Sequence, residues 1–465
     1  MSKRIWMGCL AVLFASSCAT TGGAQVETAP PPPPVEQGPA PAAAALNRAP
    51  VTDGDVTEAW VNGMQILVKR NPEAELVSGQ LAVLGGVFNW DGTNAGVEQL
   101  ALTVAQSGGT QRLDKDAFAR RLASMGSDVW AGAGGDYSMF GFKSLLRFWD
   151  ETFGMMAETF LTPAMPADEI ELKRTRQLQA LKRELEFPDS RLGLATHQRL
   201  FAGHPYQHRS IGTPETVAAL TREQLLAQLA KLRETRRLVL VVVGNVDPQL
   251  VVERAKAVFG GLPAGDFHQQ EIPQLKFEHP SVQVLAEQLP TTYITGVFGA
   301  PSWKEPQFAA AMVAIDVLRN RLWDEVRTKR NLSYAPSAGV TMNSFVPRGS
   351  IYVTAVDPNT TVKVMLDEAR KLAAQQVPAP ELEGSKAQYR TRFLMGTETT
   401  DGQAGLLMRS QLYGGDWRVS RSLPDQLKAV TPADIQSFAQ QYLSRLQMVV
   451  LGDPAKIDDA LFRSL

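Results

Sequence analysis

Gly96-Val97-Glu98-Gln99-Leu100-Ala101-Leu102-Thr103, running on to Gly108-Gly109-Thr110, is the stretch from which the fold is read. Val97, Leu100, Ala101 and Val104 fall at helical spacing, so the stretch reads as one buried helix. Before it, Leu81-Ala82-Val83-Leu84-Gly85-Gly86-Val87 is an apolar run of strand type. After it, Phe118, Leu122 and Met125 mark a second helix. A strand, a loop and a buried helix in that order open a layered domain in which helices pack on a sheet.

The chain has 465 residues, too long for one ordinary domain and suited to two once the N-terminus is set aside. Hydrophobic residues make up 44% and charged residues 20%, which permits a packed core and argues against disorder. The net charge is −1 with both signs interspersed, so nucleic acid and an electrostatic grip on an anionic surface are not indicated. The two cysteines, Cys9 and Cys18, both precede Pro30, leaving the folded part without a disulfide or a thiolate metal site.

Residues 1–17 read as a signal peptide: Lys3-Arg4, an apolar run from Ile5 to Phe14, then Ala15-Ser16-Ser17 before Cys18. The run is too short to span a bilayer as a mature helix. Small residues directly before a Cys resemble a bacterial lipobox, which implies lipidation of Cys18; plain secretion with a bystander Cys is the alternative. Ala19 after the Cys favours, by the same resemblance, the outer membrane facing the periplasm. Residues 18–56 follow as a Gly-, Ala- and Pro-rich tether, unbroken proline from Pro30 to Pro34, of extended polyproline type. A ligand for a proline-binding domain is the other reading of that composition.

The folded part is expected to begin near Thr57. Asn62-Gly63 signals a hairpin. Val129 to Phe142 reads as two strands, Leu145 to Phe160 as an amphipathic helix, and Asp168 to about Glu186 as another, ended by Pro188. Two passages then look like copies. Leu220-Thr221-Arg222-Glu223 opens a helix leading to the strand Leu238–Val243, a Gly turn and Asp247-Pro248. Val430-Thr431-Pro432-Ala433-Asp434 opens a helix leading to the strand Met448–Leu451, a Gly turn and Asp453-Pro454. Order and spacing imply a duplicated domain, with the boundary in Gly260 to Pro280. The second copy has a strand at Thr292 to Phe298, a helix from Gln307 to about Asp324, a strand pair around Tyr334 to Ala355, and helices Val362 to Ala374 and Glu381 to about Met395. The expected domains are 57–265 and 266–465.

The strand, loop and helix around Gly96, the loop His204-Pro205-Tyr206 with Ile211-Gly212-Thr213-Pro214-Glu215, and the duplication resemble the insulinase/pitrilysin family of zinc peptidases, to which mitochondrial processing peptidase belongs. The resemblance implies an α+β fold of two duplicated domains, each a mostly antiparallel sheet with helices on one face, together forming half of a clamshell. It also implies where zinc chemistry would sit. In the family the first helix carries H-x-x-E-H, two His one turn apart on one face with a Glu that activates water. Those positions here are Gln99, Leu102 and Thr103, and the family's third ligand, a later Glu, falls on Ala180. A zinc site is therefore read as degenerate, with no metal on this chain. His204 and His208 belong to a segment the family uses structurally.

A second family pattern is kept. Arg327 and Tyr334, with Val326 before and Leu332 between, match its Arg/Tyr motif in residue type and spacing. An Arg can fork onto a peptide carbonyl or terminus, and a Tyr hydroxyl can donate to a forming oxyanion. The bland alternative is a helix-end Arg and a strand Tyr with structural hydrogen bonds. In two-chain bacterial members one subunit carries H-x-x-E-H and zinc while its homologous partner supplies the Arg/Tyr pair in trans. The resemblance implies that this chain is the second kind, binding unfolded peptide. A non-enzymatic envelope scaffold of the same fold is the first rival. A peptidase active alone through unusual ligands such as Glu98 or Glu184 is the second. The leader gives one direct test: Cys18→Ser should abolish palmitate labelling in vivo and move the protein from the membrane to the soluble fraction, whereas unchanged labelling would return Cys18 to a bystander.

Overall fold

The computed structural model describes residues 46–465, so the signal peptide, Cys18 and residues 18–45 of the tether lie outside the described residues. Regular structure starts earlier than residue 57. Strand β1 (Arg48–Asp53) pairs antiparallel with β2 (Val56–Val61). The tether range of 18–56 is corrected accordingly. β1 is exposed along nearly its whole length, so it carries no apolar alternation by which a strand is recognised. Asn62 and Gly63 both take left-handed conformations (φ 48° and 92°) and close the hairpin to β3 (Met64–Arg70).

The first sheet adds β4 (Leu76–Leu84), β5 (Asp128–Gly132), β6 (Tyr137–Leu145) and β7 (Leu238–Gly244), in the seven-stranded order β1-β2-β3-β7-β4-β6-β5. The second consists of β8 (Ser281–Ala286), β9 (Thr292–Gly299), β10 (Ser337–Thr341), β11 (Arg348–Ala355) and β12 (Gln447–Gly452), in the order β10-β11-β9-β12-β8. Read from the other edge, β8-β12-β9-β11-β10 repeats β3-β7-β4-β6-β5. The directions repeat too. β7 lies parallel to β3 and β12 parallel to β8, while every other pair in the two series is antiparallel. The duplication read from the sequence is a repeat of sheet topology.

Each sheet carries its own half's helices on one face. Ile66, Val68, Leu81, Val83, Leu240 and Val242 face the core built with helices Val97–Ser107, Trp149–Leu161, Arg222–Lys231 and Pro248–Phe259. In the second half Ile294, Phe298, Ile351, Val353, Met448 and Val450 pack with helices Phe308–Leu322, Pro358–Ala374 and Pro432–Tyr442. The alternate residues at the centre of each sheet are covered as well, by an exchange of helices. Helix Thr400–Gly414 of the second half lays Ala404, Leu407 and Met408 on Leu67, Ala82, Val239 and Val241 of the first sheet. Helix Pro188–Leu200 of the first half lays Leu192 and Ala195 on Tyr293, Val449 and Leu451 of the second.

Polar contacts fix both exchanges. Ser78 Oγ and Thr400 Oγ1 are 2.9 Å apart in the interior, and Gln80 Nε2 donates to Asp401 Oδ1 at 3.0 Å. Arg191 pairs with Glu287 at 2.7 Å, and Arg199 Nη2 donates to Ser281 Oγ at 2.6 Å. Pro188, expected as a helix stop, is the first residue of the exchanged helix, where its missing N–H costs nothing. With each half finishing the other's sheet, the two halves should unfold together. Met408→Ala should cost about 2–5 kcal/mol and keep one cooperative transition by circular dichroism and tryptophan fluorescence; two separated transitions would contradict the exchange as the main bond between halves.

Candidate functional site

The helix Val97–Ser107 starts at Gly96, held at φ 97°. A Cβ there would lie 2.8 Å from Val217 Cγ2 and 3.1 Å from Gln177 Nε2, so only glycine lets the helix end approach helix Ala167–Glu186 and the 211–217 loop. Gln177 Nε2 closes the contact by donating to Ile211 O at 2.8 Å. The scaffold that would present zinc ligands is thus intact, but the side chains are not ligands. Leu102 is fully buried in the first core and Ala180 offers only a methyl group. Thr103 Oγ1 donates to Gln99 O at 2.8 Å, and Gln99 Oε1 accepts from the Ala133 N–H at 3.2 Å. Among the described residues no group of three or more His, Cys, Asp or Glu is placed to hold a metal ion. Two positions lack a donor atom and the other two are engaged within the chain, so these residues do not fit zinc.

The remaining polar candidates are engaged too. Glu98 is fully buried on the inner side of the helix, where it accepts from Ser138 Oγ and from Gln228 Nε2 at 2.7 Å. Burial holds its carboxyl above the usual range against the pull of these donors. Glu184 forms a two-pronged pair with Arg209 at 2.7 and 2.8 Å. His204 accepts the Tyr206 N–H through Nδ1 at 3.1 Å and donates from Nε2 to Pro273 O at 2.8 Å, tying its loop to the interdomain segment. These are structural assignments for Glu98, Glu184 and His204, and the second rival loses its ligands.

Arg327 and Tyr334 are brought together on the surface. Helix Phe308–Leu322 widens into a π-helical turn, Trp323–Thr328, a conformation often found at functional sites. The chain then reverses. Asn331 takes a left-handed conformation (φ 51°), its N–H bonding Arg327 O at 3.1 Å while the Leu332 N–H bonds Val326 O at 2.9 Å. Val326 is fully buried and Leu332 packs on the second core, anchoring both sides of the reversal. Tyr334 is carried back over Arg327. The guanidinium carbon sits 4.2 Å from the Tyr334 ring centre and 4.1 Å from that of Trp323. Tyr334 is 77% exposed and Trp323 45%. Tyr334 lies ahead of β10, not within the strand pair as expected, because the reversal at Asn331 holds it in a bend. Trp323 escaped the sequence reading. Its signal is its spacing: it precedes Arg327 by one helical turn, where side chains meet.

A second buried carboxylate, also unanticipated, sits at the seam of the halves. Asp136, just before β6, accepts from Tyr206 OH, from Tyr413 OH at 2.9 Å and from the Phe345 N–H at 3.4 Å. Tyr206 belongs to the first half, and Tyr413 and Phe345 to the second. Burial outweighs these donors and the nearby Arg348, and pushes the Asp136 carboxyl up to about 6.

Residues 219–389 match the family described as "Peptidase M16 inactive domain". A relative named "Uncharacterized zinc protease ML0855", of Mycobacterium leprae, is 25% identical over 312 residues, 64% of this chain and 69% of that one. "Mitochondrial-processing peptidase subunit beta" of Lentinula edodes is 21% identical, covering 82% of this chain and 86% of its own. "Non-peptidase homolog YmxG" of Helicobacter pylori is 24% identical, covering 78% and 85%. Among solved structures, the "peptidase M16 inactive domain from Pseudomonas fluorescens" superposes with a TM-score of 0.79 at 22% identity, over 86% of this chain and 98% of that one. The insulinase/pitrilysin resemblance and the fold it implies therefore stand, and residues 219–389 are similar to the domain that the family model names inactive. Subunits of heteromeric enzymes and non-peptidases both occur among these relatives.

Asp136 yields a pH test. Its folded value near 6 exceeds the ordinary 3.8, so the folded state holds the proton more tightly. Stability should fall as pH rises from about 4 to about 6, by an amount on the order of 3 kcal/mol, and level off above. Asp136→Asn should flatten that interval in urea unfolding; an unchanged pH profile would show that Asp136 titrates normally.

Proposed function

We propose that this chain, which is similar to insulinase/pitrilysin-family proteins, is the zinc-free subunit of a heteromeric metallopeptidase. It binds unfolded peptide and offers Arg327 and Tyr334 to the active site of a homologous, H-x-x-E-H-bearing partner. One observation carries the reading: Arg327 and Tyr334 are stacked together on the surface instead of being spent on structural bonds. A helix-end Arg and a Tyr kept for stability would be expected to bond the backbone or a carboxylate, as Arg319 does with Ala338 O at 2.8 Å and Asp316 at 2.7 Å. In this account Arg327 grips the peptide, and the Tyr334 hydroxyl donates to the oxyanion of the tetrahedral intermediate formed in the partner's site. Lipidation at Cys18 and the proline-rich segment hold the assembly at the outer membrane, facing the periplasm. The kinship with a non-peptidase homologue supports a second reading, an envelope scaffold in which the pair has no chemical task.

Peptide hydrolysis by three samples separates them: this chain, a homologue carrying H-x-x-E-H, and their mixture. The mixture alone should cleave, and Tyr334→Phe should lower its kcat by roughly 100-fold with assembly intact, the loss typical of one oxyanion donor. A homologue equally active without this chain, or two chains that never associate, would establish the scaffold.

A further inference from the structure

We propose that Trp323 is a positioning residue that, with Tyr334, clamps the Arg327 guanidinium as a fork for a carboxylate, so that this site takes the free C-terminus of a peptide. The inference rests on the substrate-handling reading of Arg327 and Tyr334 and gives it a chemical class of ligand.

The turn from Trp323 to Arg330 holds two acids and three bases. Lys329 Nζ lies 2.7 Å from Asp324 and 2.6 Å from Glu325, and Arg330 also pairs with Glu325. These donors hold the Glu325 carboxyl down to about 2, so it stays ionised and occupied. Both local acids are thereby neutralised by Lys329 and Arg330. Arg327 makes no ion pair and no side-chain hydrogen bond among the described residues, although two acids lie within three positions of it in sequence.

Geometry then limits what can bind. The guanidinium carbon lies over two rings, 4.1 Å from the centre of Trp323 and 4.2 Å from that of Tyr334, so both aromatic groups pack on it. The N–H groups of a guanidinium lie in its plane and form a fork matched to two acceptor oxygens. A carboxylate supplies both oxygens and the missing negative charge; a peptide carbonyl supplies one oxygen and no charge. The clamp also restrains a long side chain before binding, which lowers the ordering cost of the complex. Trp323 and Tyr334 are both exposed, so the group lies where an incoming chain end can reach it.

The test needs no partner subunit. Binding of a short unstructured peptide with a free C-terminal carboxylate is compared with that of its C-terminal amide, by isothermal titration to the full-length chain. The carboxylate form should bind at least 10-fold more tightly. Trp323→Ala should weaken it by about 3- to 10-fold, Trp323→Phe should restore most of the loss, and Arg327→Lys should erase the preference. Equal binding of both peptides, no binding of either, or full affinity in Trp323→Ala would each overturn the inference. A carboxylate preference that survives while the two-chain mixture shows no gain in hydrolysis would remove the subunit proposal and leave this site standing.

Discussion

The structure depends on an exchange of two helices, one from each half. A sheet with helices on a single face leaves its other face to water. Here those second faces carry an apolar centre: every residue of β7 is buried, and Val449 and Leu451 of β12 face away from their own half's helices. Met408 and Leu407 cover one sheet and Leu192 the other. Neither half is complete alone, since each leaves a stripe of valine and leucine that only its counterpart buries. The Asp136 cluster is added to that seam, where a costly buried carboxylate is held by two tyrosines from opposite halves.

That rigidity gives the surface features their meaning. Gly96 and Gln177 fix the approach of the helix that would carry zinc ligands to its neighbour, yet Leu102 on the one and Ala180 on the other offer no ligand atoms. The helix at the equivalent place in the second half, Phe308–Leu322, ends instead in the widened turn that displays Arg327. Duplication thus supplies two presentation platforms, one without ligand atoms at two of the four positions and one bearing an exposed aromatic and cationic group.

The sequence made the duplication legible because both copies repeat a capped helix, an apolar strand and a Gly turn before Asp-Pro, and Thr221 and Thr431 indeed cap their helices through the same box. It hid the exchanged helices for physical reasons. Pro188 resembles a stop and acts as a start. The other exchanged helix holds Gly402, Gly405 and Gly414, which lower helix propensity. β1 was silent because an exposed edge strand has no apolar period. At the site, the Arg327–Tyr334 spacing was visible, whereas the stack was not: it arises from a π turn and a left-handed Asn331, and neither has a pattern that propensity can read.

The central claim is that Arg327 and Tyr334 touch substrate inside a partner's active site. Replacing Tyr334 with a photoreactive benzoylphenylalanine and irradiating the two-chain assembly with peptide tests it most directly. The account predicts a crosslink from position 334 to the peptide that depends on the partner and is lost when an excess of competing peptide is added. A crosslink to the partner alone, or none to peptide at any concentration, would contradict it and leave the pair as surface residues of a scaffold.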